Sequence, residues 1–228
     1  MLIQEYMTPQ PTTVTEDTSV IDAAELMREK KFRRFPVLRG RQLVGIVTDR
    51  DLRSAAPSQV ISFDSEERAL MPELHALLAR IKVGEIMSTD VISVDPEQTI
   101  VTAAVLMLKD RISGLPVVDS KGELVGIITE GDIFKVLVDL SGISLGSTVL
   151  AFRLEDRPAS IKDAADAIRE HGGRLASILT SYASTDPGFR RVYFRIRDLP
   201  SEKLQALKEE LLKNFELLYV SQDKVDMT

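Results

Sequence analysis

LVGIVTDRDL (residues 43–52) and LVGIITEGDI (residues 124–133) are two nearly identical stretches of one chain. Each is an apolar run around a glycine, followed by Thr and, three residues later, Asp. The apolar run is typical of a strand, and short polar residues directly after it are typical of the start of a helix. The chain therefore carries the same strand-to-helix junction twice, which indicates an internal repeat.

The repeat extends beyond the two junctions. YMTPQPTTVTEDTSVIDAAELM (6–27) aligns with IMSTDVISVDPEQTIVTAAVLM (86–107), and FPV (35–37) aligns with LPV (115–117). One additional residue enters the second copy at a predicted turn, where insertions disturb a fold least. A match over the whole unit is far more specific than either junction alone.

Each copy is predicted to fold in the order β-α-β-β-α, from the spacing of its apolar residues. Thr18 is the predicted N-cap of the first helix. Gly45 and Gly126 lie inside predicted strands, where glycine usually marks a close approach of another backbone or a bend.

Residues 61–83 separate the two copies and carry the pattern of an amphipathic helix. Asp64 and Glu67 have the spacing of a capping box. An apolar stripe follows at Leu70, Leu74, Leu77, Leu78 and Ile81. We expect this helix to be structural, packing either against the repeats or against a second subunit.

Composition excludes several classes of site. The net charge of −6 gives no reason to expect nucleic-acid binding. The chain has no Cys, so disulfides, thiolate catalysis and Cys-ligated metals are excluded. Its two histidines, His75 and His171, are better explained by packing and by a helix C-terminus than by catalysis or metal binding. No apolar run is long enough to span a bilayer and the start lacks a signal-peptide pattern, so a cytoplasmic location is expected.

The polar residues of the two junctions suit a nucleotide. Thr48 and Thr129 end the predicted strands, and Asp51 and Asp132 open the helices that follow. A carboxylate here can accept hydrogen bonds from both hydroxyls of a ribose, as acidic residues do in dinucleotide folds. The Thr hydroxyl can donate to a phosphate, which the helix N-terminus also favours.

A base would need an apolar slot lined by a sheet, which the strand residues beside Phe35-Pro36 and Leu115-Pro116 would provide. The alternative is that Thr and Asp only cap their helices, since both residue types do this well. Two copies within a matched repeat favour binding but do not decide between the two interpretations.

The two copies resemble a tandem pair of cystathionine-β-synthase-type (CBS) domains. The resemblance rests on MTPQPTTV, RRFPVL and GIVTDRD in the first copy and on MSTDVISV, SGLPVV and GIITEGD in the second. It divides the region into CBS motif 1 (1–60), the inter-motif segment (61–83) and CBS motif 2 (84–142). It implies one pseudo-symmetric module that commonly pairs with another, with clefts that bind AMP, ADP, ATP and sometimes S-adenosylmethionine, NAD or cyclic dinucleotides.

The resemblance also implies binding residues. The ribose Asp of the family corresponds to Asp51 and Asp132, and its phosphate-side Thr to Thr48 and Thr129. Its strand residues before the first helix correspond to Thr12, Thr13 and Val14 in one copy and to Ile92, Ser93 and Val94 in the other.

The charges predict that the two clefts differ. Arg34 of the first copy corresponds to Gly114, and Arg50 corresponds to Gly131. Arginines suit phosphate oxygens because they donate in a planar fork. The first cleft is therefore predicted to take the phosphate-rich ligand, and the second a less charged ligand or none. The alternative is that these arginines belong to a solvated basic face.

Residues 147–223 follow another pattern, which predicts the order β-α-β-β-α-β of a ferredoxin-like sandwich and gives the chain an α+β fold. This region resembles an ACT domain through LEDRPASI (154–161), a family that often binds amino acids between paired copies. The implied ligand turn consists of Asp156, Arg157, Pro158, Ala159 and Ile161, and Ala159 stands where the family often has Gly. The alternative is a dimerisation domain in which this turn only starts a helix. Residues 224–228 form a tail.

The whole chain resembles the acetoin-utilisation B-type proteins. This resemblance indicates a pathway and fixes no reaction. The leading hypothesis is a non-enzymatic regulatory homodimer with an adenine nucleotide as regulatory ligand in the CBS clefts, no cofactor or metal, no nucleic-acid or membrane partner, and an unidentified regulated protein. One alternative is an enzyme of acetoin or acetate metabolism, such as a deacetylase. It is disfavoured because the sequence has no nucleophile–base set, metal-ligand cluster or phosphate-binding loop. The other alternative is a scaffold that binds no ligand.

Overall fold

The computed structural model describes residues 1–55, 79–183 and 185–223. It divides the chain into two compact units, residues 1–133 and residues 134–228. The predicted inter-motif helix up to residue 78 and the tail 224–228 lie outside the described residues.

Both repeats contain the predicted succession α-β-β-α, and they differ in the strand predicted before it. The elements of the first repeat are β1 (Thr8–Pro9), β2 (Val14–Thr15), α1 (Val20–Lys30), β3 (Arg34–Arg39), β4 (Gln42–Thr48) and α2 (Asp49–Ala55). Those of the second are α3 (Val83–Ile86), α4 (Ile100–Asp110), β5 (Gly114–Val118), β6 (Leu124–Thr129) and α5 (Glu130–Ser141). Where the first repeat has β2, the second has a single parallel bridge between Val94 and Val117.

Each repeat completes the sheet of the other. β1 pairs antiparallel with β6, with Thr8 opposite Ile127, so one sheet has the order β1-β6-β5. In return Ser88 bridges to Ile46 in β4, beside the sheet β2-β3-β4. Because the leading segments are exchanged in this way, the two repeats form one module.

The strand glycines allow this exchange, which confirms their predicted role. A Cβ atom on Gly45 would overlap the side chain of Met87 and lie 3.2 Å from the carbonyl oxygen of Ser88. A Cβ atom on Gly126 would overlap Met7 and lie 3.1 Å from the carbonyl oxygen of Thr8.

The first helix begins one residue later than predicted. The N-cap of α1 is Ser19, whose hydroxyl accepts a hydrogen bond from the backbone N–H of Asp22 over 3.1 Å. Thr18 does not cap α1, because its hydroxyl accepts from the N–H of Thr15 over 3.0 Å and closes the preceding turn. The helix then buries Val20, Ala23 and Met27 against the sheet.

The second unit contains the predicted β-α-β-β-α-β order. Its elements are β7 (Thr148–Glu155), α6 (Ser160–Glu170), β8 (Leu175–Ser181), β9 (Phe189–Ile196), α7 (Ser201–Asn214) and β10 (Glu216–Gln222). The sheet is antiparallel throughout, in the order β10-β7-β9-β8. Phe152 and Phe194 meet edge to face with ring centroids 5.4 Å apart in a core that both helices help to build.

Within the described ranges, no helix has the length and apolar character needed to cross a bilayer.

Candidate functional site

The junction of the first repeat forms a compact hydrogen-bonded turn. Oδ2 of Asp51 accepts from the backbone N–H of Thr48 over 2.8 Å and from the Thr48 hydroxyl over 2.6 Å. This is the geometry of a helix cap, in which a first-turn carboxylate satisfies the N–H that precedes the helix. Among the described residues, no hydrogen bond reaches the other carboxylate oxygen, Oδ1.

The second repeat has the same turn in a more enclosed setting. Oδ2 of Asp132 accepts from the N–H of Thr129 over 3.0 Å and from its hydroxyl over 2.7 Å. Asp132 is 7% exposed and is one of the few buried polar or charged residues described, whereas Asp51 is half-buried. The helix cap, which was the alternative to nucleotide binding, is therefore present in both repeats. In each repeat it uses one oxygen of the Asp carboxylate, Oδ2.

The strand residues lie beside these turns. β2 runs parallel to β3 with Val14 opposite Val37, and β3 pairs with β4 so that Arg34 is opposite Thr48. Thr12 and Thr13, both half-buried, directly precede β2.

The second repeat repeats this layout. The backbone N–H of Val94 donates to the carbonyl of Pro116 over 3.1 Å. Ile92 and Ser93 precede it and retain exposed surface, with Ile92 at 37%. Gly114 lies opposite Thr129, as Arg34 lies opposite Thr48.

The side chains of Phe35 and Leu115 do not line a slot. Both are 0% exposed, and Phe35 packs in the core with Val37 and Val47. Successive strand residues point to opposite faces of a sheet, so the neighbours of these two residues face away from that core. Pro36 and Pro116 point to the other face of their strands, and they are buried as well.

Arg34 crosses from the first repeat to the second. Its Nη1 donates to the carbonyl oxygen of Gly114 over 3.1 Å, and its Nη2 donates to the hydroxyl of Ser113. Burial lowers the pKa of the Arg34 guanidinium, the carboxylate of Glu130 opposes that shift, and Arg33 adds to it. The charge that sequence analysis assigned to the first cleft thus lies against the second repeat, beside the strand that ends at Thr129.

Several other basic side chains of the first repeat are held by carboxylates. Arg39 pairs with Glu16 over 2.7 Å, Arg41 with Glu123 over 2.9 Å and Arg53 with Asp49 over 2.6 Å. Arg50 is exposed on the first turn of α2. These three arginines are therefore paired with neighbouring carboxylates, whereas Arg50 lies within the Thr48–Asp51 turn and Arg34 lies opposite Thr48.

Ser113 belongs to this candidate site and was not predicted from the sequence. It is half-buried, it contacts Arg34, and its carbonyl oxygen accepts from the N–H of Glu130 over 3.2 Å. Its position in the repeat, as the counterpart of Arg33, was the available signal.

The predicted ligand turn of the C-terminal unit has a left-handed residue at its end. Ala159 is the N-cap of α6 with φ 69° and ψ −11°, and non-glycine residues seldom adopt this conformation. Asp156 pairs with Arg190 over 3.3 Å, Arg157 pairs with Asp163 over 3.2 Å, and Ile161 packs on the core. The carbonyl oxygen of Pro158 accepts from Nη1 of Arg157 over 3.1 Å.

A cavity of about 310 Å³ lies beside this turn. Positively charged, negatively charged and aromatic side chains line it. The lining residues are Arg153, Leu154, Glu155, Arg157, Ser160, Phe189, Asn214, Phe215 and Glu216. Among the described residues, no group of three or more His, Asp or Glu side chains is arranged to hold a metal ion.

The CBS domain family model matches residues 3–58 and 83–139. A CBS domain-containing protein of Dictyostelium discoideum is 32% identical over 139 residues, covering 60% of this chain and 92% of its own length. An uncharacterized protein of Methanocaldococcus jannaschii is 34% identical over 155 residues, with the same shares of 60% and 92%.

Two solved structures have nearly the same sequence identity to this chain as these two proteins. One is CBSX2, a protein of Arabidopsis thaliana, in complex with AMP: it is 30% identical with a TM-score of 0.50, over 61% of this chain and 98% of that one. The other is AcuB of Vibrio cholerae, linked by its name to acetoin utilization: it is 31% identical with a TM-score of 0.50, over 63% of this chain and 95% of that one. The family match ends at residue 139, so the resemblance of the C-terminal unit to an ACT domain stays a prediction.

Proposed function

The chain belongs to the CBS-domain family, and from that premise we propose that it is a non-enzymatic regulatory protein whose clefts bind adenosine-containing ligands of the AMP, ADP and ATP class. Binding would shift the relative placement of motifs or subunits, and the C-terminal unit or a protein partner would respond. A ligand can cause such a shift only if it binds one arrangement better than the other.

The observation that carries the proposal is the repeated Thr–Asp turn. Oδ2 of Asp51 is held by Thr48 at 2.8 and 2.6 Å, which fixes the direction of the carboxylate. Oδ1 is then oriented before a ligand arrives and can accept from ribose hydroxyls. A cap and a ribose site are therefore compatible functions of one side chain. The AMP complex of CBSX2, a similar chain, supports the choice of ligand class.

The position of Arg34 revises our hypothesis about the two clefts. A guanidinium taken out of water gains from an anion placed beside it, because burial disfavours its charged form. Its fork contacts Ser113 and Gly114, next to the strand that ends at Thr129. We therefore propose that Arg34 contributes to phosphate binding at the second repeat, and that the exposed Arg50 does so at the first.

The test is calorimetry with AMP and ATP on the wild type, Asp51→Asn, Asp132→Asn and the double variant. Asn keeps an oxygen that can accept from the Thr N–H, but it loses the charge that strengthens hydrogen bonds from ribose hydroxyls. Each single variant should weaken one binding event at least tenfold, and the double variant should bind neither nucleotide measurably.

Asp22→Asn is the matched control. Asp22 forms the same kind of cap with Ser19, at 2.7 Å between Asp22 Oδ2 and the Ser19 hydroxyl, but it lies at the start of α1. The Asp22→Asn variant should lose the stability that this cap contributes to the fold and should keep the wild-type affinity for nucleotides. Unchanged affinity in a folded Asp51→Asn, Asp132→Asn double variant would reject the sensor proposal.

The C-terminal unit is proposed to be an ACT-like regulatory domain, with the cavity beside the 156–161 turn as its ligand site. The cavity has cationic and anionic side chains at its wall, which suits an amino acid with its two charged groups. Differential scanning fluorimetry of the wild type and Arg157→Ala with the common amino acids tests this part separately.

Two other functions are distinguished by simple measurements. Turnover of nucleotide or acetyl substrates by pure protein, abolished by a point substitution, would favour an enzyme of acetoin or acetate metabolism. A scaffold without ligands would show no thermal shift with any nucleotide, whereas a ligand at a hundredfold its dissociation constant should stabilise by about 2.7 kcal/mol. The likeness to AcuB supports a link to acetoin utilization but specifies no reaction.

A further inference from the structure

The helix α5 starts in one compact unit and ends in the other, because the boundary between the units falls after Ile133. Asp132 lies in its first turn, and Ser141 is its last residue. At a rise of 1.5 Å per residue, these two residues are about 14 Å apart along the helix axis. One stiff element therefore carries a proposed ligand residue at its start and belongs to the C-terminal unit at its end.

The end of α5 is held by side chains of the C-terminal sheet. The last carbonyl oxygens of a helix have no partner within the helix itself. The carbonyl oxygen of Ser141 accepts two hydrogen bonds from the sheet, one from Nε of Arg195 over 2.8 Å and one from the hydroxyl of Ser177 over 2.6 Å. Arg195 and Ser177 lie opposite each other on β9 and β8, so two neighbouring strands supply the donors.

The Arg195 side chain is fixed in this position. It is only 11% exposed, and its Nη1 donates to the carbonyl oxygen of Gly146 over 3.1 Å. Its Nη2 donates to Oδ2 of Asp223 over 2.7 Å, so every nitrogen of the guanidinium has an acceptor. The neighbours of Arg195 on β9, Phe194 and Ile196, belong to the core, and strand alternation therefore directs Arg195 to the opposite face of the sheet.

The backbone that follows α5 approaches the sheet too closely for a side chain. Gly142 has φ 68°, and a Cβ atom there would lie 3.2 Å from the backbone of Ala176 in β8. A Cβ atom on Gly146 would overlap the carbonyl oxygen of Ile196 in β9. A displacement of the end of α5 must therefore either move these strands or break the hydrogen bonds to Ser141.

We propose that Arg195 and Ser177 are positioning residues through which a nucleotide at the second repeat acts on the C-terminal sheet. This inference rests on the proposed nucleotide site at Asp132. A nucleotide bound there restrains the start of α5, and the helix transmits that restraint to Ser141 and its two donors. By linkage, the nucleotide stabilises β8 and β9 to the extent that it binds better when this contact is closed.

Hydrogen–deuterium exchange of the whole chain, with AMP as the probe, tests the coupling. In the wild type, saturating AMP should slow amide exchange at the Thr129–Asp132 turn and, by about threefold or more, in β8 and β9. Arg195→Lys keeps the charge but lacks the guanidinium fork, so AMP should still protect the turn and should no longer protect the two strands. Ser177→Ala removes one hydroxyl and should lose about half of the protection of the strands.

Arg197→Lys is the matched control, because Arg197 directly follows β9 and is exposed. It should behave like the wild type. A purely structural role of Arg195 would speed exchange equally with and without AMP and leave the AMP-induced difference intact. That result, or a wild type in which AMP protects the turn but neither strand, would overturn the coupling and leave the nucleotide site standing. A wild type in which AMP protects no turn would reject the proposed site and the coupling together.

Discussion

Arg34 donates a hydrogen bond over 3.1 Å to the carbonyl oxygen of Gly114. Gly114 is the residue of the second repeat that is equivalent to Arg34, 80 residues later in the chain. Gly114 leaves room for this contact, because a Cβ atom there would lie 3.2 Å from Nη1 of Arg34. The two repeats thus share the same backbone course, whereas the Arg34 side chain of the first repeat fills the space beside Gly114 of the second.

Removing Arg34 should weaken nucleotide binding more than it weakens the fold. A charge-assisted hydrogen bond contributes about 1.5–3 kcal/mol, so Arg34→Ala should raise the dissociation constant for ATP about tenfold or more. Calorimetry measures this. Arg41→Ala is the control, because Arg41 is an exposed arginine that pairs with Glu123 at the β3–β4 turn. Equal affinities in the two variants would mean that the phosphate lies elsewhere.

The internal repeat made the fold of the first unit predictable. Two aligned copies require the same elements at equivalent positions, and the Thr–Asp turns lie at the predicted strand ends. The direction of the Arg34 side chain was not predictable in this way. It depends on how the copies pack on one another, and no local pattern in the first repeat records that Ser113 is its neighbour.

The sequence was also insufficient to decide between adjacent residues of the same kind. Thr18 and Ser19 both have a hydroxyl suited to an N-cap, and only the backbone conformation decides that Ser19 precedes α1. Phe35 was expected beside a ligand slot, but strand alternation turns its ring into the core. Which face of a strand is the core face is a property of the assembled sheets.

Adding a methyl group at Gly45 should destabilise the module. The new Cβ would overlap the Met87 side chain and crowd the carbonyl oxygen of Ser88, and overpacking of this kind costs about 1–3 kcal/mol of unfolding free energy. Urea unfolding of Gly45→Ala measures the loss. Gly131→Ala is the control, since its nearest neighbour would be the Thr129 hydroxyl at an ordinary 3.6 Å.

The cause can be assigned with a double variant. Met87→Ala removes the side chain that Gly45→Ala would overlap, so the two substitutions together should cost less than the sum of their separate effects. Strict additivity would show that Met87 is not the obstacle.

The stability of the C-terminal unit should fall in acid through Asp198. The Ser147 hydroxyl donates to Asp198 over 2.8 Å and the Ser147 N–H over 3.2 Å, and these bonds lower the carboxyl pKa although desolvation opposes them. A pKa that is lower in the folded state gives stability that is present above the unfolded value of about 3.9. That stability is lost as the pH falls through the folded value.

Asp198→Asn removes this dependence. The variant should be less stable than the wild type near neutral pH, and the difference should shrink as the pH falls below about 3.9 and disappear once the pH has passed the lower pKa of the folded carboxyl. Thermal unfolding across that range measures the difference. A constant gap between the two proteins at all pH values would exclude titration of Asp198 as the cause.

Ala159→Gly should stabilise the protein, although it deletes a methyl group. Ala159 holds φ 69° at the N-cap of α6, and the left-handed region costs an L-residue about 1–2 kcal/mol that glycine does not incur. Part of the gain is offset by the greater freedom of glycine in the unfolded chain, so we expect a net increase in unfolding free energy of about 0.5–1 kcal/mol. Ala167→Gly, within the same helix, is the control of opposite sign, because glycine inside a helix costs about 1 kcal/mol. Urea unfolding followed by circular dichroism compares the two, and a loss of stability in both variants would mean that the turn does not hold Ala159 in a strained conformation.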